Sequence, residues 1–358
     1  MPRFRLIDTG IRGGRENIAF DQALAERHRE GRIPDTLRFL RFRPSALVGR
    51  HQILAEEVNV AACAEVGIEV GRRITGGGAI YLDEGQLGWE LVFSRATLPF
   101  ADLESAARAI AGAAAAGLRR LGVAAAFRPR NDIEVNGRKL GGTGGFFDGP
   151  TLFYQGTVLI DFDPARLLLA LRVPAAKLAR RGLDSAAERL VTLRALLGAT
   201  APSIAAVQQA LIAGFGEHLG IVAEPELPRP EEEAHAAQLL QDEIGTDAFV
   251  HQEGTVAAGA PEASASMFTA GGTVRLDLRI ERAGEARIRE ALISGDFFAT
   301  PPRAVLDLEA SLRGVPLAEA AQAAREFFQA AGATIEGLSS ETIGALLAAA
   351  LGKAALRN

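Results

Sequence analysis

Apolar residues alternate with polar ones in several short segments of the chain and recur at helical spacing in others. Alternation with a period of two is typical of half-buried strands, and spacing of three and four residues is typical of amphipathic helices. Strands are predicted at residues 3–8, 36–42, 46–48, 68–72, 79–81, 89–93, 127–130, 132–135 and 152–160, and helices at 16–29, 58–65, 103–121, 165–171 and 204–218. Because the two kinds of element are interleaved, this part of the chain predicts an α+β domain.

Two local signals refine this prediction. Asn136-Gly137 is a typical two-residue hairpin turn, and Ser203 is placed to cap the helix that follows it. The strands at 79–81 and 89–93 are predicted to flank a turn.

The composition changes towards the C-terminal part of the chain. Proline and glutamate are concentrated in residues 224–233, a helical pattern covers 232–243, and residues 251–266 are small, polar and glycine-bearing. Beyond them the pattern predicts strands at 272–280 and 287–294 and helices at 317–329 and 340–351. We therefore predict a larger domain at residues 1–250, a linker at 251–266 and a smaller α+β domain at 267–358.

Composition and charge narrow the class of protein. The chain has 358 residues, of which 48% are hydrophobic and 23% charged, which is typical of a globular protein. A net charge of −5 argues against a protein that generally coats nucleic acid. The start of the chain has no apolar core like that of a signal peptide, and the alanine-rich residues 109–118 are too few to span a bilayer. We expect a cytoplasmic protein that binds neither nucleic acid nor membrane, and the single cysteine, Cys63, cannot form an internal disulfide.

Two glycine-rich segments are candidates for chemistry. Residues 72–81 carry three consecutive glycines after Arg72 and Arg73, and residues 131–145 carry Lys139 among small residues. Neither matches the phosphate-binding loop or the dinucleotide fingerprint. Backbone N–H groups of glycines beside guanidinium groups can hold a carboxylate or a phosphate, and a fixed ammonium can bridge the two during acyl activation. The spacing alone favours a tight connection for the glycines and a solvated hairpin position for the lysine.

The residues of both segments resemble one family. RITGGGAIYLD at 73–83 resembles the RRxxGGGAVxHD signature of lipoate protein ligases, and NDIEVNGRKLGG at 131–142 resembles their second signature. Similar residues continue at 16–21, 48–50 and 154–157, at 177–193, which is similar to the adenylate-binding stretch, and at the GDFF element 295–298 of the accessory domain. The resemblance thus covers nearly the whole chain.

The resemblance implies a fold and a reaction. The fold is a mixed β-sheet packed by helices, as in biotin and lipoate ligases, with a smaller α+β accessory domain. In the reaction, ATP and Mg²⁺ activate lipoate or octanoate to an acyl adenylate, and the acyl group passes to a lysine of an acceptor. The implied acceptor is a lipoyl domain of an H-protein-like protein or a 2-oxoacid dehydrogenase, or a related lipoate-binding protein, and we expect the enzyme to be a monomer.

The resemblance also implies roles for particular residues. Lys139 contacts the acyl carbonyl and the adenylate phosphate, and Arg73 acts with it. Asn131 and Asp132 orient the phosphates, with Asp132 as the metal ligand. Further nucleotide contacts come from the turn and strand after Arg73 and from the adenylate-binding stretch: Gly76, Gly77, Gly78, Ala79, Ile80, Tyr81, Lys177 and Gly182.

Some positions depart from the family pattern, and other activities stay open. The departures are Leu82, Gln86, Gln155 and Thr192. One alternative is an octanoyltransferase that takes its acyl group from acyl carrier protein through a cysteine thiolate, for which Cys63 is the candidate. Another is a protein that binds lipoyl domains without catalysis. Candidate walls for an acyl slot are Val48, Ile80, Trp89 and Leu91, and candidate docking residues are Arg119, Arg120, Arg180 and Arg181.

Overall fold

A computed structural model describes residues 1–172, 187–251, 261–330 and 332–355 of the chain. These residues form two compact units. The first unit comprises Met1–Val48, Glu57–Ile74 and Ile80–Val250, and the second comprises Gly49–Glu56, Thr75–Ala79 and His251–Asn358. Two short segments from the middle of the chain therefore belong to the same unit as the C-terminal part. The sequence predicts a boundary between residues 250 and 251, but it does not predict that these two segments belong to the second unit.

The first unit is built on a large mixed sheet. Within the described residues the sheet has eight strands in the order β11-β1-β2-β6-β10-β9-β8-β7. Strand β1 runs parallel to β11 and β2, and the other neighbours are antiparallel. A small sheet has the order β4-β3-β5. The strands are β1 (Arg3–Arg12), β2 (Thr36–Phe42), β3 (Ser45–Val48), β4 (Glu69–Arg72), β5 (Ile80–Leu82), β6 (Gln86–Ser94), β7 (Ala126–Arg128), β8 (Asp132–Val135), β9 (Arg138–Asp148), β10 (Thr151–Leu159) and β11 (Val222–Pro225).

Helices cover both faces of this sheet. The helices up to Val250 are α1 (Gly14–Arg29), α2 (Leu54–Glu57), α3 (Val60–Glu65), α4 (Leu103–Arg119), α5 (Pro164–Ala170), α6 (Leu193–Leu197), α7 (Ile204–Leu219), α8 (Pro230–Leu239) and α9 (Asp247–Val250), with 3-10 turns at Ala187–Arg189 and Gly198–Thr200 and a π turn at Leu240–Ile244.

Each face of the sheet has its own core. Trp89 and Leu91 of β6 pack with Phe215 of α7 in the cluster that also contains α4. On the opposite face, Phe20 of α1 packs with Phe153 of β10. Successive side chains of a strand point to opposite faces of the sheet, so a single strand can supply side chains to both cores.

The second unit has a smaller sheet, three helices in its C-terminal part and most of α2 among its described residues. Strands β12 (Ala263–Thr269), β13 (Gly272–Glu281) and β14 (Arg287–Gly295) form an antiparallel sheet, and β15 (Ala299–Thr300) pairs with β16 (Thr334–Ile335). Helices α10 (Ala304–Leu312), α11 (Ala320–Ala330) and α12 (Ser340–Ala355) complete a separate apolar core.

The α+β class and the mixed sheet are confirmed, and two local predictions are corrected. Strands β5 and β6 flank a turn as predicted, although β5 pairs with β3 in the small sheet and not with β6. Strand β9 occupies Arg138–Asp148, where the glycine-rich sequence predicts no strand. Part of the predicted linker is strand, since β12 begins at Ala263, while residues 252–260 lie outside the described residues.

Within the described residues, no single helix has the length and apolar character needed to cross a membrane. The consecutive segments Leu193–Thr200 and Ile204–Leu219 pass that test only together, with a bend of 115° between them. The second of these is α7, whose Val207, Leu211 and Phe215 are buried in the core beside α4.

Candidate active site

A β-bulge determines where Lys139 points. Asp132 pairs with Gly142 and Glu134 pairs with Lys139, so strand β9 contains one more residue than β8 across this stretch, and Leu140 is the extra one. Paired residues of a ladder share a face of the sheet, and a bulge changes the alternation by one residue. Leu140 enters the core cluster of α4 and α7. Lys139 is therefore placed on the opposite face, with Asp132 and Glu134.

Four charged side chains form a chain of ion pairs on that face. Lys139 Nζ lies 2.8 Å from Asp132 Oδ1, and Arg128 Nη2 donates to Asp132 Oδ2 at 2.5 Å. Arg128 Nε in turn lies 3.0 Å from Glu134 Oε2. Burial raises the pKa of Asp132, but the neighbouring Lys139 and Arg128 outweigh it and hold that pKa below its ordinary value. Asp132 is thus a carboxylate that holds the Lys139 ammonium, whose side chain is 30% exposed.

A half-accessible strip of the sheet continues from Lys139. Gly142, Thr157 and Gln155 are half-buried, whereas the other residues of β10 are buried. The N–H group of Gly142 donates to Thr157 Oγ1 at 3.3 Å. Gln155 lies opposite Glu90 of β6 in the ladder. The strip therefore runs from the lysine across β9 and β10.

A buried charge cluster lies at the far end of the strip. Arg38 Nη1 donates to Asp21 Oδ1 at 2.6 Å and to Glu90 Oε2 at 3.0 Å, and Arg38 Nη2 donates to Asn17 Oδ1 at 2.7 Å. One guanidinium is thus shared by two fully buried carboxyl groups. Burial and the adjacent Glu90 raise the pKa of Asp21 well above its usual range, although Arg38 acts in the opposite direction.

The two adjacent arginines of the first signature have different surroundings. Arg73 is half-buried at the end of β4, where its N–H donates to the Val48 carbonyl and its Nη1 donates to the Leu47 carbonyl at 3.3 Å. Burial lowers the pKa of Arg73 to about 10, and the carboxyl of Asp21 raises it in part. Arg72 is buried, and its Nε donates to the carbonyls of Phe249 and Val250. Arg72 therefore anchors α9 through its Nε.

The three glycines belong to the second unit, where they meet the GDFF element. Gly77 has a φ of +91°, and its N–H donates to the Phe297 carbonyl at 3.2 Å. A Cβ on Gly76 would lie 2.1 Å from the same carbonyl oxygen. The imidazole of His51 stacks on the Phe297 ring at 5.2 Å. Gly76 and Gly77 thus have a packing role in this unit, whereas Gly78 is exposed and a Cβ there would meet nothing within 4 Å.

The adenylate-binding stretch is described only from its C-terminal end. Lys177 and Gly182 lie outside the described residues. Leu190 forms a parallel bridge with Lys139, and the N–H of Val191 donates to the Lys139 carbonyl at 2.9 Å. The end of this stretch therefore lies beside the candidate catalytic lysine. Thr192 Oγ1 accepts from the N–H of Ala195 and caps α6, so this departure from the family pattern keeps a good capping residue.

The other sequence-predicted residues differ in their burial. Asn131 is half-buried and donates from its side-chain amide to the Thr143 carbonyl at 3.0 Å. Tyr81 is buried, and burial raises the pKa of its hydroxyl to about 12. Ala79 and Ile80 are half-buried. Three candidate walls of the acyl slot are core residues of the first unit, namely Val48, Trp89 and Leu91. Two of the departures from the family pattern, Leu82 and Gln86, are also buried.

Two charged residues of the ion-pair chain were not predicted from the sequence. Glu134 follows Asp132 by two residues, and this spacing on a predicted strand is a signal that could have placed both on one face. The Asn136-Gly137 turn fixes the register that brings Lys139 opposite Glu134, with φ values of +52° and +76° at the two turn residues. Arg128 could be placed only from the register between β7 and β8.

The described residues do not form a protein cage for a metal ion. Among them, no group of three or more histidine, cysteine, aspartate or glutamate side chains could hold a cation. Both oxygens of Asp132 already bind basic side chains. A single carboxylate suits only a Mg²⁺ ion that takes most of its ligands from substrate phosphates. The metal role of Asp132 stays a prediction.

The only thiol of the sequence is inaccessible. Cys63 lies on α3, is fully buried, and its Sγ donates to the Ala170 carbonyl at 3.8 Å. Burial raises the pKa of this thiol, which disfavours the thiolate.

Comparison with known proteins identifies the family. The profile of the lipoyl protein ligase A/B catalytic domain matches residues 14–216. Octanoyltransferase LipM of Symbiobacterium thermophilum is 31% identical over 267 residues, which cover 68% of this chain and 96% of that protein. Lipoate-protein ligase LplJ of Bacillus subtilis is 32% identical over 154 residues, which cover 43% of this chain and 45% of that protein. The fold and the matched residues define an enzyme of lipoyl ligation or transfer. The chain belongs to the lipoyl protein ligase A/B catalytic-domain family.

Solved structures have the same fold. The bipartite lipoate protein ligase of Thermoplasma acidophilum, studied with its E2 lipoyl domain, aligns with a TM-score of 0.63 and 27% identity over 72% of this chain and all of that chain. A lipoate-protein ligase A bound with ATP aligns with a TM-score of 0.60 and 27% identity over 70% of this chain and 98% of that one. LipL1 of P. falciparum, in complex with lipoate, covers 97% of this chain and 98% of that one with a TM-score of 0.71, and at 15% identity it supports the fold alone.

Proposed function

We propose that this protein is an ATP-dependent ligase that activates free lipoate or octanoate and transfers the acyl group to a lysine of a lipoyl domain. The observation that carries the proposal is the combination of a bulge-positioned Lys139 with a buried Cys63. The first supplies a cation for an adenylate, and the second removes the thiolate that an acyl-enzyme route needs.

The position of Lys139 supports acyl activation. A carboxylate oxygen of the acid attacks the α-phosphorus of ATP, and pyrophosphate leaves. The acceptor amine then attacks the acyl carbonyl, AMP leaves and the amine loses a proton. Negative charge develops on phosphate oxygens in the first step and on the carbonyl oxygen in the second, so one fixed ammonium stabilises both. Asp132 orients that ammonium from one side, which leaves its remaining donors for the substrate.

The strip beside Lys139 supports an acyl substrate. Gly142, Thr157 and Gln155 leave the sheet partly accessible along about two strand spacings, roughly 10 Å, from the lysine. Arg73 is a cation of the first unit that suits a phosphate or carboxylate. The neighbours solved with ATP and with lipoic acid are homologous ligases of 26 to 27% identity, which supports the same pair of substrates here.

An octanoyltransferase is the second candidate, because relatives with that name match most of this chain. It would need an accessible thiolate, and the only cysteine of the sequence is buried on α3. The two activities are separated by incubating a recombinant E2 lipoyl domain either with ATP, Mg²⁺ and lipoate or with octanoyl carrier protein without ATP. Acylation in the first mixture alone supports the ligase, and acylation in the second alone refutes it.

The role of Lys139 has its own test. In Lys139→Ala, Asp132 keeps its bond to Arg128, so we expect the protein to fold with a stability change below about 1 kcal/mol. Transfer to the lipoyl domain, measured as the gain of acyl mass, should fall by at least about 100-fold. The control Arg108→Ala removes an exposed charge that pairs with Glu104 on α4, and it should keep full activity. Acyl transfer by Lys139→Ala at the wild-type rate would contradict the assignment.

A further inference from the structure

Three exposed arginines lie at the edge of the large sheet, in the strands and the connection that lead to Lys139. Arg128 lies on the edge strand β7, Arg130 lies in the connection to β8, and Arg138 begins β9 directly after the hairpin turn. We call these three residues the arginine rim. Arg128 and Lys139 bind the two oxygens of the same Asp132 carboxylate. One carboxylate therefore lies between Arg128 of the rim and the lysine.

The net charge of residues 128–139 at this edge is positive, whereas that of the whole chain is negative. Residues 128–139 contain four basic and two acidic side chains, a balance of 4 − 2 = +2, whereas the whole chain carries −5. Both acidic side chains, Asp132 and Glu134, pair within the same stretch. Among the described residues, no ion-pair partner is found for Arg130 or Arg138. The positive charges of Arg130 and Arg138 are thus available to a partner.

The acceptor protein must approach this edge of the sheet if its lysine is to be acylated beside Lys139. This step rests on the proposed function. Its lysine amine has to reach the carbonyl that Lys139 holds, so the acceptor surface around that lysine comes within a few ångströms of Arg128. We propose that the arginine rim is the docking surface of the acceptor protein, and that the acceptor carries carboxylates beside its target lysine. Opposite charges across such an interface steer encounter and fix orientation, and like charges exclude other lysine-bearing proteins.

The docking residues predicted from the sequence have other surroundings. Arg119 donates to the Ala125 carbonyl at the end of α4, and Arg120 lies 3.4 Å from Glu217. Arg180 and Arg181 lie outside the described residues. The rim is therefore a new assignment.

The test separates docking from activation. The double variant Arg130→Glu/Arg138→Glu reverses two rim charges in the full chain and leaves Lys139, Asp132 and Arg128 unchanged. The matched control Arg289→Glu/Arg313→Glu reverses two exposed arginines of the second unit. The acceptors are a recombinant E2 lipoyl domain and a form of it whose carboxylates beside the target lysine are changed to amides. Activation is measured without acceptor, as hydroxamate formed when hydroxylamine captures the activated acyl group.

We expect the rim variant to form hydroxamate at the wild-type rate and to transfer to the natural domain at least tenfold more slowly at low salt. The deficit should shrink when the ionic strength is raised to about 0.5 M, since exposed charges are screened. The control should resemble wild type, and the amide form of the domain should slow wild type but not the rim variant. Equal rates of acyl transfer by wild type and the rim variant at low salt would overturn the proposal. Binding to a single-stranded RNA probe tests whether the rim serves nucleic acid instead, and a rim variant that loses only this binding would also overturn it. A wild-type protein that forms no hydroxamate refutes the proposed function itself.

Discussion

Burial sets the protonation of Asp21, whose carboxyl group shares the Arg38 guanidinium with Glu90. Asp21 and Glu90 are both fully buried. Burial and the adjacent Glu90 raise the pKa of Asp21, and they outweigh the opposite effect of Arg38. Asp21 therefore keeps its proton to a higher pH than an exposed aspartate does, which makes the stability of the first unit sensitive to pH.

The substitution Asp21→Asn should reduce the pH dependence of the free energy of unfolding of the first unit. Burial raises the pKa of Asp21 in the folded state, so the folded state binds the proton more tightly than the unfolded chain. The resulting stabilisation is complete below the ordinary carboxyl pKa of about 4 and is lost as pH rises through the folded value. The free energy of unfolding in urea, followed by fluorescence of the single tryptophan Trp89, should therefore fall from pH 4 to 8 more steeply in wild type than in Asp21→Asn.

Asp242 provides the control because its side chain is exposed. In Asp242→Asn, the free energy of unfolding should change with pH as steeply as in wild type. Parallel slopes for wild type and Asp21→Asn would show that the pKa of Asp21 is not raised in the folded state.

At the scale of elements, the sequence predicted those strands and helices in which apolar and polar residues recur at a regular spacing. Strands Thr36–Phe42 and Asp132–Val135 have the predicted bounds, and Ser203 caps α7 as expected. Strand β9 was missed because glycine is depleted in strands, so a glycine-rich run favours a loop. The reason for its glycines lies in a distant partner, since a Cβ on Gly145 would meet the Phe153 carbonyl of β10 at 2.2 Å.

The crossing of α4 and α7 is a second feature that depends on glycine. A Cβ on Gly214 of α7 would lie 2.3 Å from the Ala113 carbonyl of α4, whereas a Cβ on Gly112 of α4 would meet nothing within 4 Å. Gly214→Ala should destabilise the first unit by about 1–3 kcal/mol, because overpacking outweighs the gain in helix propensity. Gly112→Ala should stabilise it by up to about 1 kcal/mol. Urea unfolding followed by Trp89 fluorescence measures both, and changes of equal sign would contradict the close crossing.

At the scale of the whole molecule, sequence motifs indicated candidate residues but not which of them contact each other. The glycine triplet and the GDFF element lie about 220 residues apart in the chain, and no periodic pattern links them. Gly77 nevertheless donates to the Phe297 carbonyl, and Gly295 donates to the His51 carbonyl at 2.9 Å. The same limit applies to Lys139, because its face depends on a bulge that only the pairing with β8 reveals.

These hydrogen bonds predict the effect of removing the C-terminal part. A chain that ends at Ser266 lacks the carbonyl of Phe297 and the N–H of Gly295, so the glycine triplet and the segment at His51 each lose a backbone partner. We expect ATP-dependent pyrophosphate release to fall at least about tenfold, while transfer from premade lipoyl adenylate, which depends on Lys139 of the first unit, is better retained.

Point variants of the full chain show whether the triplet itself is responsible. Gly76→Ala forces a Cβ to within 2.1 Å of the Phe297 carbonyl oxygen, and Gly78→Ala places one in open space. Gly76→Ala should therefore reproduce the loss of pyrophosphate release and lower the melting temperature of the second unit, whereas Gly78→Ala should leave that melting temperature unchanged. Pyrophosphate release at the full rate by both the shortened chain and Gly76→Ala would show that the contact between the triplet and the GDFF element has no part in activation.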